Sequence, residues 1–386
     1  MKNQSLIVNW NYPTRILVGA GRINELAKVC RDLGMNAPLL VTDPGLASSL
    51  MVSKVIQQAQ ASGLRTGLFF QIKTNPTGDN VMNGVYAFKA GQHDGVIAFG
   101  GGSALDAGKA IALMVGQDRP LWDFEDVGDN WTRVNVSAMA PVLAIPTTAG
   151  TGSEVGRASV ITDAEKQVKK IIFHPKMLPA MVILDPELTV GLPKSLTAAT
   201  GMDALSHCLE AYCSNYYHPM AEGIALEGIR LIKENLIQAY KDGSDLEART
   251  HMLVASAMGA TAFQRGLGAM HALAHPLGAI YDVHHGRLNA VLMPYVLLAN
   301  RSEIENKIER LANYLSIANG FDGFLDWIEQ MRLELGIENT LSQLGIDHSQ
   351  IDRLAKMATE DAAAASNPVL FTLEQYKELL SKAIGE

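Results

Sequence analysis

The feature that most constrains this chain is a change of hydrophobic period near residue 190. Before it, short unbroken apolar runs, PLLVT (38–42), GLFFQI (67–72), GVIAF (95–99), VLAIP (142–146) and MVILD (181–185), alternate with longer mixed segments such as INELAKVCRDLG, ASSLMVSKVIQQAQASG and ALDAGKAIALMVG. Runs of this kind suit strands buried on both faces, and the mixed segments read as helices. Their alternation predicts an α/β domain with a doubly wound, mostly parallel sheet covered by helices on both faces. ASVITD (158–163) and VKKIIFH (168–174), separated by AEKQ, read as a β-hairpin appended to that sheet. From Ser195 onward apolar residues recur at three and four, as at Ile224, Leu226, Ile229, Ile232 and Leu236, so the second domain should be all-α. Pro193, with Ser195 or Thr197 as helix caps, places the boundary near 190 and gives domains 1–190 and 191–386.

Composition narrows the class. At 386 residues the chain exceeds one ordinary core, and two domains are the simplest division. Hydrophobic residues at 48% and charged residues at 19%, with no low-complexity tract, describe a globular chain rather than a disordered one. A net charge of −8, with Lys and Arg scattered, argues against a nucleic-acid partner. MKNQSLIVNWNYP lacks the order of a signal peptide, and no apolar run reaches the roughly 18 residues of a bilayer span. No membrane association and a cytoplasmic location are therefore expected. Cys30, Cys208 and Cys213 fit no disulfide or zinc framework and are expected to be buried thiols.

Chemistry begins at the run GVIAFGGGSALDAGK. Gly100, Gly101 and Gly102 let the backbone approach a pyrophosphate, while the following helix offers free N–H groups and Ser103 a hydroxyl. A tight strand-to-helix turn without ligand is the plainer alternative. Gly19-Ala20-Gly21 starts like a dinucleotide fingerprint, but Asn24 stands at the third glycine position, and the segment reads as a turn. PTTAGTGSE ends another buried run and sets Thr147, Thr148, Thr151 and Ser153 at the carboxyl edge of the sheet, where α/β folds bind ligands.

A second constellation lies in the helical half. Asp203 and His207 stand four apart in TGMDALSHCLEAY, hence on one helix face; MHALAHPLGAIYDVHHG supplies His271 and His275, again four apart, then His284 and His285. A lone buried histidine is more often a hydrogen-bonded core residue, but the joint pattern favours a metal. One carboxylate with three imidazoles suits Fe²⁺ or Zn²⁺ better than Mg²⁺ or Ca²⁺. Spacing gives neither the geometry nor the identity of the ion. A reaction that needs both a dinucleotide and a Lewis acid is hydride transfer between an alcohol and a nicotinamide.

Taken as a set, GGGSALDAGK, PTTAGTGSE, DPEL, TGMDALSH, HALAHPLG and HHGRLNA make the chain resemble the iron-containing (group III) alcohol dehydrogenase family over most of its length. The resemblance implies an NAD(P)-dependent alcohol dehydrogenase acting on a CH–OH group, with a dinucleotide-binding α/β domain and a helical metal-binding domain. It implies Asp203, His207, His271 and His285 as metal ligands, with Fe²⁺ first and Zn²⁺ as the other candidate. The expected catalytic residues are His285, beside the nicotinamide, and His275, one turn beyond a ligand, as a relay for the alcohol proton. By the same likeness Gly100, Gly101, Gly102 and Ser103 hold the pyrophosphate, Asp106, Thr147, Thr148, Thr151 and Lys169 line the dinucleotide, and Asn75 lies near the adenine. Asp43 matches the position that binds the adenosine ribose; a carboxylate there repels a 2′-phosphate, so NAD is expected over NADP. The alternative for Asp43 is a turn residue before Pro44. A short primary alcohol or diol, with its aldehyde, and a homodimer complete the expectation.

The chain departs from the family in places. Members usually have Pro-His-Gly where this chain has His284-His285-Gly286, so His284 competes as a ligand; the spacing of fourteen from His271 favours His285. Gly156 and Ala158 stand where some members have polar residues. Two other functions stand beside the main one: a glycerol-dehydrogenase-like or maleylacetate-reductase-like oxidoreductase of the same fold, and a metal-dependent hydrolase or lyase whose glycine loop binds a phosphorylated substrate.

Overall fold

The computed structural model describes residues 8–10, 14–166 and 168–385, and the chain divides into two compact units, one ending at Gly191 and the other beginning at Leu192. The first unit contains strands β1 (Val8–Trp10), β2 (Arg15–Val18), β3 (Pro38–Val41), β4 (Gly67–Phe69), β5 (Gly95–Gly100), β6 (Val142–Pro146), β7 (Ala158–Asp163), β8 (Val168–Phe173) and β9 (Met181–Leu184). Its helices are α1 (Leu26–Asp32), α2 (Pro44–Ala47), α3 (Leu50–Ala61), α4 (Gly78–Ala90) and α5 (Gly102–Met114). The main sheet runs β1-β2-β9-β6-β5-β3-β4, parallel throughout except for the antiparallel β1.

Strands β3, β5, β6 and β9 are buried along their whole length, which is why they appear in the sequence as unbroken apolar runs rather than alternating ones. Leu40, Ile97, Ile145 and Ile183 pack in one core with Leu26 and Val29 of α1 and Val52 of α3. After β3 the chain proceeds to β4 on one side, and after β5 to β6 on the other. The carboxyl ends of β3 and β5 therefore flank the topological switch point, where open α/β sheets bind ligands.

The hairpin differs from the expectation: β7 and β8 form a separate two-stranded sheet, whose β-bridges to other segments are isolated ones at Thr77–Thr162 and Glu125–Ile172 among the described residues. The outer edge of β7 is already satisfied. Val160 N–H donates to Asp106 Oδ2 at 2.9 Å, Thr162 N–H donates to the Pro76 carbonyl at 2.7 Å, and Lys109 Nζ donates to the Ala158 carbonyl. An edge so occupied offers no free ladder to the main sheet.

In the second unit the elements are α6 (Lys194–Cys213), α7 (Pro219–Lys241), α8 (Leu246–Ala262), α9 (Ala269–Tyr281), α10 (His285–Tyr314), α11 (Gly320–Glu334), α12 (Ile351–Glu360) and α13 (Leu373–Ile384), with short 3₁₀ turns and no strand among the described residues. The expected cap is corrected. Pro193, in extended conformation, precedes the first helical residue, Lys194, and Ser195 and Thr197 lie inside α6. The Thr197 hydroxyl accepts from Arg249 instead, at 3.0 Å. Helix α6 is buried at every position from Thr197 to Cys213, so any polar side chain on it has to find a partner inside the protein. All three cysteines are free and buried; burial pushes each thiol up to about 12, which leaves them inert as nucleophiles. Among the described residues no helix is long and apolar enough to cross a membrane.

Candidate active site

In the first unit the glycine loop sits at the switch point. Gly100 ends β5 with φ of 143°, a conformation that favours glycine, and Gly101 caps α5. The first N–H groups of α5 have no acceptor within their own helix and stand at the end of β5. The second loop is pressed directly against the first: Thr147 N–H donates to the Gly100 carbonyl at 3.0 Å, and a Cβ added to Gly102 would come within 2.6 Å of Thr151. A Cβ at Gly101 would stand 3.5 Å from Thr148. These glycines thus have an internal packing reason.

Asp43 follows β3 and accepts the Leu46 N–H at 3.0 Å through Oδ1, capping α2, while Oδ2 lies 3.4 Å from where a Gly100 Cβ would stand. The turn role of Asp43 is thus filled by one oxygen, and the other faces the glycine loop. Ser103 Oγ donates to the Thr74 carbonyl beside Asn75, and Lys169 pairs across the hairpin with Thr162, whose N–H reaches Pro76. The Thr74–Pro76 segment is thereby tied both to Ser103 and to β7. Asp106 is used internally: Oδ1 accepts from Ser153 Oγ at 2.5 Å and pairs with Lys109 at 3.2 Å, and Oδ2 takes the Val160 N–H. Its carboxylate holds the second loop and the hairpin to α5. The Gly19-Ala20-Gly21 turn is closed by the chain itself, because Gly21 and Ile23 donate their N–H groups to the Asp185 carboxylate at 3.2 and 2.8 Å. Those two N–H groups are therefore already taken.

Glu154, in the second loop, is 1% exposed, and one of its oxygens has no hydrogen-bond partner among the described residues. Burial pushes its carboxyl from 4.5 up to about 7, against its own backbone N–H and the Lys109 charge. The folded protein thus keeps a proton that the unfolded chain releases, so stability falls as pH rises from about 4.5 to about 7 and is flat above. Glu154→Gln should reduce the drop in melting temperature between pH 5 and pH 8, measured calorimetrically on metal-free protein. An equal drop in variant and parent would count against this assignment.

In the second unit, Asp203, His207, His271 and His285 bring one donor atom each to within 4.8 Å of one another. Three helices supply them. Asp203 and His207 lie one turn apart on α6, His271 lies in the first turn of α9, and His285 opens α10. The rings of His207 and His271 stack at 4.8 Å, and His285 Nε2 is 3.7 Å from Asp203 Oδ1. Donors bound about 2.1 Å from one tetrahedral ion lie about 3.4 Å apart, so the set fits a borderline divalent metal with small rotamer adjustments. His284 is the N-cap residue of α10 and does not belong to the four-donor cluster. Gly286 makes the approach possible: a Cβ there would collide with the Ala199 carbonyl oxygen and lie 2.9 Å from Asp203 Cβ.

Around the cluster stand three residues that the sequence reading did not single out. Glu210 Oε2 accepts from His271 Nδ1 at 2.6 Å. Burial opposes the His271 imidazolium, but the Glu210 charge and hydrogen bond, with Asp203 and Asp361 beyond, outweigh it and hold its pKa above the usual value. Asn289, fully buried, places its amide nitrogen 2.9 Å from Asp203 Oδ1 and 3.2 Å from both His271 Nε2 and His285 Nε2. Asp361 Oδ2 accepts from His275 Nδ1 at 2.8 Å, and the His275 ring stacks on His285 at 5.4 Å. Burial would raise the Asp361 carboxyl; the His275 charge and bond and the Ala363 N–H outweigh it and hold it below the usual range. Helical spacing could have found two of them, since Glu210 is three residues after His207 and Asn289 four after His285. Nothing local points from His275 to Asp361.

Comparison with known proteins agrees with this construction. Residues 13–186 match the family model of the iron-containing alcohol dehydrogenases, and residues 197–384 match the C-terminal model of the Fe-containing alcohol dehydrogenase family. The chain belongs to the iron-containing alcohol dehydrogenase family. It is 35% identical over 383 residues to a 4-hydroxybutyrate dehydrogenase of Cupriavidus necator, covering 97% of this chain and 99% of that one. It is 34% identical over 389 residues to an NAD-dependent methanol dehydrogenase of Bacillus methanolicus, covering 98% and 100%. Among solved structures, that of a 1,3-propanediol oxidoreductase superposes with a TM-score of 0.91 at 34% identity, covering 98% of this chain and 99% of that one.

Proposed function

We propose that this chain is an NAD-linked dehydrogenase of short primary alcohols or diols and their aldehydes, working as a homodimer with Fe²⁺ or Zn²⁺ held by Asp203, His207, His271 and His285. The carrying observation is the convergence of one carboxylate and three imidazoles in a chain whose two units both match the family. When bound, the metal supplies a Lewis acid to the alcohol oxygen and NAD a hydride acceptor. The chain's own residues do the rest. Asp203 offsets part of the ion's charge and is held by Asn289. His275, with Nδ1 fixed by Asp361, presents Nε2 to take and return the alcohol proton, and its 22% exposure lets it exchange that proton with water. In the first unit the N–H groups opening α5 and the Ser103 backbone receive the pyrophosphate, with Thr147, Thr148, Thr151, Asn75 and Lys169 around it, and Asp43 Oδ2 receives the ribose hydroxyls. The substrate class is supported by relatives named for 4-hydroxybutyrate, methanol and 1,3-propanediol, each with a terminal CH₂OH group.

The test is a panel of short alcohols and diols on protein reconstituted anaerobically with Fe²⁺ and, separately, with Zn²⁺, following NADH absorbance. NADH formation that requires one of the metals is expected. Failure of NAD(H) to bind in a direct titration would overturn the proposal in favour of the hydrolase or lyase alternative. For the cofactor, Asp43→Gly is expected to shift the NAD-to-NADP ratio of kcat/KM toward NADP by about tenfold or more, as a carboxylate no longer repels the 2′-phosphate. Glycine is tolerated at helix N-caps at a cost of only a few tenths of a kcal/mol, so the exchange isolates the cofactor effect. An unchanged ratio would remove Asp43 from the ribose site.

A further inference from the structure

The carboxylate of Glu210 has two donors, and they differ in kind. Its Oε1 accepts the backbone N–H of Met270 at 2.7 Å, and its Oε2 lies 2.6 Å from Nδ1 of His271. Glu210 and His271 are 5% and 1% exposed, so neither bond competes with water. The chain leaves room for this contact: a Cβ at Gly268 would stand 2.8 Å from Glu210 Oε1. On the far side of the same imidazole, the amide of Asn289 lies 3.2 Å from Nε2. An amide NH₂ only donates, so Nε2 accepts from Asn289, Nδ1 carries the proton toward Glu210, and the Nε2 lone pair points into the donor cluster.

We propose that Glu210 is a positioning residue that locks His271 in the Nδ1–H tautomer and thereby sets the affinity of the four-donor site for its divalent ion. This rests on the assignment of His271 as a ligand. The carboxylate makes His271 a stronger donor through the shared proton. Glutamine cannot replace it. The backbone N–H of Met270 is a fixed donor, so the single amide oxygen of a glutamine must turn toward it. The amide NH₂ then faces Nδ1 and drives the imidazole to the opposite tautomer, with a proton where the lone pair should be. Shape and packing are retained, while the ligand atom is blocked.

The experiment compares parent, Glu210→Gln and His271→Ala, each stripped of metal and titrated with Zn²⁺ against a chelating competitor. The parent is expected to bind one ion, His271→Ala to lose the site, and Glu210→Gln to bind about 10–100-fold more weakly with the metal-free melting temperature close to the parent's. Nitrogen-15 spectra of the zinc-loaded parent supply an independent measurement, should the glutamine variant fold poorly. The His271 resonances, assigned by their loss in His271→Ala, should show a protonated Nδ1 and a metal-bound Nε2. Zinc affinity of Glu210→Gln within twofold of the parent, or ligation of His271 through Nδ1, overturns the proposal while leaving the ligand set intact. A parent and a His271→Ala variant that bind zinc equally overturn the ligand assignment itself, and the proposal with it.

Discussion

His271→Ala should abolish stoichiometric metal binding and lower kcat by roughly a thousandfold, about 4 kcal/mol of barrier, while leaving the dissociation constant of NADH nearly unchanged. The size follows from where His271 sits. It is one of four clustered donors, fully buried, stacked on His207, and bonded through its second nitrogen to Glu210. Alanine removes the ligand and leaves the buried Glu210 Oε2 without its imidazole partner. The NADH arm of the prediction depends on the separation of functions along the chain, since every candidate dinucleotide residue belongs to the first unit. Metal content by atomic absorption, initial rates of NADH formation and a fluorescence titration with NADH read the three quantities separately. Full activity with retained metal would remove His271 from the site.

Gly286→Ala is expected to disrupt the donor cluster through a single added methyl group. A Cβ at this position collides with the carbonyl oxygen of Ala199, which as backbone cannot step aside, and lies 2.9 Å from Asp203 Cβ. The first turn of α10 must therefore move away from α6, carrying His285 with it. Overpacking of this kind costs about 1–3 kcal/mol, more than the roughly 1 kcal/mol of helix propensity that alanine gains over glycine. A melting temperature several degrees lower, weakened zinc binding and a reduced kcat should appear together. Gly223→Ala on α7 provides the control, because that glycine is exposed with nothing within 4 Å of an added Cβ and the same change there should be neutral or slightly stabilising. Unaltered metal affinity in Gly286→Ala would show that the α6–α10 contact does not set the donor geometry.

Much of the architecture could be read from the sequence because it rests on local periodicity. The runs PLLV, GVIAFG, VLAIP and MVIL are apolar at every position since each strand is covered on both faces, and a period of three and four after Ser195 can belong only to helices. The hairpin was legible as two strands but not in its place, because the edge of β7 is closed by Asp106 and Lys109, which no pattern within the hairpin reveals. Ser195 and Thr197 carried the usual signature of a cap, yet the Thr197 hydroxyl is taken by Arg249, fifty-two residues away. The two loops were visible as motifs, whereas their contact through Gly102 and Thr151 is a property of strand order.

The same division applies to the donor cluster. By itself the sequence determined the types of donor available and the pairing of Asp203 with His207, because residues four apart on a helix share a face whatever surrounds them. Which of the adjacent His284 and His285 joins the cluster is another matter: consecutive helical residues point about 100° apart, and only the seating of α10 against α6, through Gly286, turns His285 toward Asp203. Which imidazole each carboxylate serves was equally beyond reach, even where helical spacing marks the carboxylate itself, since Glu210 is sixty-one residues from His271 and Asp361 eighty-six from His275. Hydrogen bonds at such separations are set by how helices pack, and packing is decided only when the whole unit has folded.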